Sequence, residues 1–269
     1  MTPLDNVLAT DLDRAMREGA GLPCPSTQDA SFDLARGYGV QRAITDVRRL
    51  AGARIVGRKL GFTNARIQRD FGVDTPFWAP VFDTSLADPG QPLRLRSLAE
   101  PRIEPEIVLR LGAVPQPGLD ETALMGCVDG VALGFEIVQS PFADWRFTAA
   151  DCVAALGLHG RLVTGRFMAI DPWAAELWAG RLRRFTMSLS CNGQEVSSGK
   201  AADILGRGPL AALARLVEML AEDAEAAPLA PGEVISTGSV TAALRIAAGQ
   251  TWAARVGGMP LADLTLSLA

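Results

Sequence analysis

The sequence predicts an α+β protein, a helical N-terminal region followed by a β-rich mixed-sheet roll. Three observations lead there. Apolar residues recur at helical spacing through the first part of the chain. Beyond the turn-forming "DPGQP" at 88–92, short strand-like runs dominate. One long helical pattern, "GPLAALARLVEMLAEDAEA", interrupts them. Helices first and strands afterwards are the mark of α+β organisation. The turn at 88–92 divides the chain into 1–90, a helical region, and 91–269, a β-rich catalytic domain.

In "TPLDNVLATDLDRAMREG", Leu4, Val7, Leu8, Leu12 and Met16 lie near helical spacing, and Gly19 is a stop. In "SFDLARGYGVQRAITDVRRLAG", Ile44, Val47, Leu50 and Ala51 form one stripe, closed by Gly52. "ARIVGRKLGFT" reads as a strand, and "TNARIQRDFG" as a short helix with Thr63 as N-cap. The later strands are "PLRLRS", "IEPEIVLRLG", "VALGFEIVQS", "HGRLVTGR", "FTMSLSCNG", "EVISTGSV", "TWAARVG" and "DLTLSLA". Asn192-Gly193 is a tight-turn signal. The long helix buries Leu213, Leu216 and Leu220.

Composition narrows the function. A net charge of −4 with no basic stripe argues against nucleic acid. The four cysteines, at 24, 127, 152 and 191, form no C-x-x-C pair, which argues against zinc and for reduced thiols. The N-terminus has charges throughout and no apolar signal core, and no uncharged apolar run is long enough to span a bilayer. The expectation is a cytoplasmic protein with no membrane partner.

The stretch "PRIEPEIVLRLG" raises the functional question. Side chains alternate along a strand, so Ile103, Pro105, Ile107, Leu109 and Leu111 share an apolar face while Glu104 and Glu106 share the other. An exposed polar face is the plain explanation, and Pro105 suits an edge strand. Glu136 is harder to dismiss. It lies in the apolar run "GFEIVQS", where a carboxylate must be paired, with Arg102 or Arg161 for example, or bound to something. Three glutamates brought together cannot all stay ionised uncompensated. A divalent cation would compensate them, and oxygen ligands favour Mg²⁺ or Mn²⁺.

"GRKLGFT", "PRIEPEIVL", "GFEIVQS", Leu205-Gly206 and "GEVISTGSVT" together resemble the 2-keto-4-pentenoate hydratase and 4-oxalocrotonate decarboxylase family of the fumarylacetoacetate hydrolase superfamily. The resemblance runs from about Gly57 to the C-terminus. It implies the superfamily's C-terminal β-rich roll and a homo-oligomer, dimer or larger. It also implies a Mg²⁺ or Mn²⁺ ion held by Glu104, Glu106 and Glu136. Lys59 matches the family's lysine and would bind the substrate carboxylate or move a proton. Asp83, in "PVFDTS", matches an aspartate of the family's lid segment and would be a general acid/base. Thr237, Gly238 and Ser239, in "STGSVT", match a stretch beside the substrate carboxylate.

Two departures stand out. Gln139 replaces an aspartate after the third glutamate, and "DCVAA" at 151–155 replaces a hydroxyl-rich segment. His159, the only histidine, reads either as a hydrogen-bonded structural residue or as a substrate-contacting group in a reshaped pocket. Trp78, in "PFWAP", reads as packing or as a cover over substrate. The resemblance implies a metal-dependent hydratase acting on a short 2-hydroxy-2,4-dienoate or unsaturated 2-oxo acid in aromatic catabolism. The alternatives are a 2-oxo acid decarboxylase, an acylpyruvate C–C hydrolase and a non-catalytic partner subunit. The choice of acid, metal and oligomer count stays open at this level.

Overall fold

The computed structural model describes residues 3–73 and 75–269. Helices α1 (Pro3–Glu18) and α3 (Leu34–Leu50) pack side by side, with α2 (Pro25–Gln28) between them in sequence. Arg36 pairs with Asp5 and Arg48 with Asp13, so the two helices run in the same direction. Asp33 caps α3 by accepting from Arg36 N. The predicted stripes hold only in part. Leu12, Met16 and Ile44 are buried, whereas Leu4, Val7, Val47 and Leu50 face outward at the helix ends. Helical spacing sets a face but not how far the neighbouring elements extend along it.

A large mixed sheet follows. It contains β1 (Ile55–Gly61), β2 (Phe77–Phe82), β3 (Leu86–Ala87), β4 (Arg102–Leu111), β5 (Val128–Val138), β6 (His159–Thr164) and β7 (Met168–Ala169), together with the later β10 (Val234–Ser239) and β11 (Leu244–Arg245). Its order is β2-β1-β10-β4-β5-β6-β3, with β7 on β5 and β11 on β4. A second, antiparallel sheet contains β8 (Thr186–Cys191), β9 (Gln194–Lys200), β12 (Thr251–Gly257) and β13 (Leu264–Ser267). Asn192 and Gly193, both at positive φ, make the β8–β9 turn. The remaining helices are α4 (Ala65–Phe71), α5 (Glu121–Gly126), α6 (Ala149–Ala154), α7 (Ala175–Leu182) and α8 (Pro209–Glu222). Leu213 and Leu216 of α8 join the main core. Among the described residues, no helix is long and apolar enough to cross a membrane.

Several local expectations change. Strands β1 and β2, from the N-terminal side of the 88–92 turn, are part of the large sheet. The segment expected as a lid is β2, buried along its length and paired with β1. Trp78 there packs beside Tyr38 and under the Arg58 guanidinium. Asn64, not Thr63, caps α4. "PLRLRS" contributes only a bridge from Leu93 to Leu268. Pro105 lies in an interior strand, between β10 and β5. The β4–β10 register shifts between Ser236 and Ser239, next to Pro105, which has no N–H to give.

Candidate active site

Four neighbouring strands build the site. Lys59 comes from β1, Ser236 to Ser239 from β10, Glu104 and Glu106 from β4, and Glu136 from β5. Glu104 and Glu136 are direct cross-strand partners, and side chains at such positions lie close enough to touch. One carboxylate oxygen from each of the three glutamates lies within 4.8 Å of the other two. Glu106 and Glu136 are 1% and 0% exposed, and Glu104 is half-buried. A solvated polar face is therefore not the explanation for "IEPE".

Each glutamate is held differently. Glu106 Oε2 accepts from Ser236 Oγ at 2.5 Å and from Gly238 N at 2.9 Å. Gly238 has φ +93°, and a Cβ there would lie 1.9 Å from Thr63 Oγ1, so only glycine brings its N–H so close. Glu136 Oε1 contacts His159 Nδ1 at 2.8 Å. Its Oε2 lies 3.0 Å from Lys59 Nζ. That contact is an ion pair without hydrogen-bond alignment, and Oε2 is left buried with no hydrogen-bond partner. Lys59 Nζ donates instead to Gly157 O at 3.0 Å.

The charges respond to this crowding. Burial, then the Glu136 charge, pushes the Glu104 carboxyl up to about 7. Burial and the other two glutamates push Glu106 well above the usual carboxylate range. Burial would also raise Glu136, but Lys59 and the His159 hydrogen bond outweigh it and hold Glu136 below the usual range. Burial alone would lower the Lys59 pKa, but Glu136, Glu104 and Glu106 reverse that and raise it. The favoured state is one firm carboxylate, a lysine ammonium and two carboxyls reluctant to ionise.

The glutamate oxygens suit a divalent cation. The donor set is all oxygen, which suits Mg²⁺ or Mn²⁺ better than zinc. The buried Glu136 Oε2, which has the Lys59 charge beside it but no hydrogen bond, is the observation that fits such an ion.

A cavity of about 200 Å³ opens over Lys59, Glu104 and Glu106. Arg102, Ser239, Thr241, Cys152 and the Gly157 backbone also line it. Phe62, Phe71, Phe77, Trp145 and Phe147 form its aromatic walls, with Phe71 stacked on both Phe62 and Phe147. Such a site, apolar with a few converging polar groups, suits a small organic anion with an apolar segment.

The other predicted residues divide between the cavity wall and positions behind it. Gly238 and Ser239 line the cavity, while the Thr237 hydroxyl donates to Ile107 O and ties β10 to β4. Ser239 Oγ donates to Pro105 O. His159 is not at the cavity surface. It stands behind Glu136, with Nε2 2.9 Å from Ser85 Oγ. Glu136 can only accept, so Nδ1 carries the proton; burial lowers the ring's pKa and keeps it neutral, and Nε2 lies against Ser85 Oγ, whose single proton also points to Phe82 O at 2.8 Å. The structure does not bring Asp83 into the cluster. Its carboxylate turns to Arg54, accepting from the backbone N and from Nε at 3.0 Å each. A carboxylate at the end of a strand bonds the nearest free N–H groups, and that competes with any catalytic placement.

The sequence departures have structural uses. Gln139 bridges Ala99 N and Met16 O. Asp151 completes the α6 capping box with Thr148 and also holds Ser26. Sequence reasoning did not find Ser85 or the Gly157 carbonyl as site members. They act through contacts distant in the chain, which no local pattern signals. Ser236 opens the STGSVT stretch that the sequence does single out.

Residues 56–264 match the family model described as the fumarylacetoacetate hydrolase C-terminal domain. The chain is 30% identical over 254 residues to the 2-keto-4-pentenoate hydratase of Paraburkholderia xenovorans, covering 93% of this chain and 90% of that protein. It is 28% identical over 242 residues to a 4-oxalocrotonate decarboxylase of a Pseudomonas species, covering 90% of each. Its fold superposes on 4-oxalocrotonate decarboxylase from Pseudomonas putida G7, complexed with magnesium and adipate, with a TM-score of 0.90. That match has 26% identity and covers 100% of this chain and 99% of the other.

Proposed function

The chain belongs to the fumarylacetoacetate hydrolase family, and from that premise we propose that it is a divalent-metal-dependent hydratase. Its substrate is a short 2-hydroxy-2,4-dienoate or the unsaturated 2-oxo acid derived from it. The observation that carries this reading is the convergence of three glutamates, with the buried Glu136 Oε2 lacking a hydrogen-bond partner, beneath a small apolar cavity that Glu104 and Glu106 line. The names of the relatives, hydratases and decarboxylases of 2-oxo acids, support the same chemistry.

Glu104, Glu106 and Glu136 would hold Mg²⁺ or Mn²⁺, which supplies Lewis-acid stabilisation of negative charge on the substrate's C2 oxygen. Two proton movements make up the reaction. The dienol is first ketonised, as the C2 hydroxyl loses its proton and C5 gains one. Water then adds across the C3–C4 double bond, hydroxyl to C4 and proton to C3. Lys59, charged and reaching the cavity from its floor, has the proton and the position to anchor the substrate's C1 carboxylate or to deliver a proton. The aromatic walls keep bulk water from the conjugated chain. Gly238 and Ser236 hold Glu106 in place.

A second reading, decarboxylation of an unsaturated 2-oxo diacid, is supported by the full-length likeness to 4-oxalocrotonate decarboxylase. Both reactions develop charge on the same C2 oxygen, so one site serves either.

Calorimetry of Mn²⁺ with and without oxalate, on the wild type and Glu106→Gln, tests the site. Oxalate mimics the chelating end of the substrate. The wild type is expected to bind Mn²⁺ more tightly with oxalate, and the variant to lose both effects. Loss of dienol absorbance under Mg²⁺ then reports hydration, and CO₂ release reports decarboxylation. A wild type that binds neither Mn²⁺ nor oxalate would refute the enzyme reading.

A further inference from the structure

Resting on the metal-dependent reading above, we propose that the turn Leu156–Gly157–Leu158 is a positioning element. Its Gly157 carbonyl restrains the Lys59 ammonium beside Glu136, so that Glu136 Oε2 stays open to the cation and the ammonium stays open to the substrate. The turn lies between α6 and β6, on the wall of the cavity that Lys59 reaches.

This turn is built against local preference. Leu156, Gly157 and Leu158 have φ of +55°, +61° and +59°. Glycine takes such values freely, whereas the Cβ of a leucine is crowded by the following carbonyl oxygen there. Both leucines are buried, in a cluster with Phe77, Phe82, Phe142 and Val153. Strain of this kind persists where the surroundings over-determine the backbone. Hydrogen bonds close the turn on either side of its centre, from Leu158 N to Ala155 O and from His159 N to Leu156 O. The central carbonyl, Gly157 O, accepts from Lys59 Nζ at 3.0 Å.

A buried lysine beside a buried carboxylate gains most by closing onto it, because a hydrogen bond between opposite charges is stronger than one to a neutral acceptor. Lys59 and Glu136 have not done so. They lie 3.0 Å apart with side chains 4% and 1% exposed, yet Oε2 has no hydrogen bond. The Gly157 carbonyl accounts for this. An ammonium carries three N–H bonds in a tetrahedral array, so engaging one of them limits where the other two can point. The lysine stem has little room to shift. A Cβ on Gly157 would stand 2.6 Å from Phe77 Cε2, 3.1 Å from Ala79 Cβ and 3.4 Å from Lys59 Cδ. The chain then continues into His159, which binds Glu136 Oε1. Residues 157 and 159 thereby act on the two sides of one carboxylate, one oxygen being held and the other kept open. A turn that only reversed the chain would take glycine or asparagine at its left-handed positions and would owe nothing to Lys59.

A double-mutant cycle between Gly157→Ala and Lys59→Met, read as Mn²⁺ affinity by calorimetry, separates positioning from scaffolding. Gly157→Ala displaces the carbonyl; the released ammonium is expected to close on Oε2 and weaken Mn²⁺ binding about 10-fold. With Lys59→Met already present there is no ammonium to move, and the same substitution should cost less than about 3-fold. If Gly157→Ala does not fold, replacing Leu158 by its α-hydroxy acid turns the Gly157–Leu158 amide into an ester. The ester carbonyl is a weaker acceptor and adds no side chain, and the same pair of affinities is measured. Equal losses with and without Lys59, or no loss in either, would overturn the inference alone, since the turn would then be scaffold. A wild type that binds no Mn²⁺ would remove the metal-dependent reading and this inference with it.

Discussion

Metal binding is expected to weaken steeply as the pH falls below 7. Burial and the charge of Glu136 raise Glu104 to about 7, and a protonated carboxyl is a poor ligand. The cation must therefore displace a proton at any pH below that value. With one proton competing and a pKa near 7, the apparent affinity at pH 6 should be about a tenth of that at pH 8. Glu106, also raised, deepens the drop. Mn²⁺ titrations at pH 6 and 8, each in two buffers of different ionisation enthalpy, give both the affinity and the protons released. An affinity unchanged across that range, with no buffer dependence, would refute the reasoning, because the glutamates would then be ionised without the metal.

The same shift has a defined sign for stability. A carboxyl whose folded pKa lies above its unfolded value favours the fold below the unfolded pKa, and that contribution is lost as pH rises through the folded value. For Glu104 the window is about 4.5 to 7. Within it, Glu104 makes the metal-free fold less stable with rising pH.

His159→Leu removes the hydrogen bond that orients Glu136, so Mn²⁺ affinity should fall about 10- to 100-fold in calorimetry, the usual cost of losing a group behind a ligand. Gly238→Ala forces a side chain into a positive φ and against Thr63; denaturant unfolding should show a loss of about 2 kcal/mol or more, with weaker Mn²⁺ binding. Asp83→Asn should leave the hydration rate within about 3-fold and the unfolding midpoint nearly unchanged, because its partner Arg54 is exposed. A rate loss beyond about 10-fold there would return Asp83 to the chemistry.

Much of the fold and site was legible because strand alternation is local. Period two alone puts Glu104 and Glu106 on one side of β4, and the apolar run around Glu136 marks a strand covered on both faces. The pairing of Glu104 with Glu136 depends on the β4–β5 register, which no single strand carries. Asp83 illustrates the opposite difficulty: a motif match places a carboxylate in sequence but says nothing of the Arg54 N–H groups waiting beside it. His159 was legible only as a pair of alternatives. Its role rests on Ser85, 74 residues away, and on Glu136, 23 residues away. Pro105 pointed to an edge because the β10 register shift that accommodates it inside the sheet lies in another strand.

The cluster is left short of positive charge by construction. Three glutamates face one buried cation, Lys59, because His159 stays neutral and Arg102 is drawn aside onto Trp145. A fold selected only for stability would place an apolar residue or a second arginine at one of these positions, since burying an uncompensated carboxylate is costly. Instead the surrounding groups are spent on orientation. Ser236 and Gly238 fix one oxygen of Glu106, and His159 fixes one oxygen of Glu136, leaving Glu136 Oε2 beside the Lys59 ammonium with no hydrogen bond. Fixing one oxygen of a carboxylate while leaving the other unsatisfied directs it toward a ligand that comes and goes. The remaining negative charge matches a divalent cation in sign.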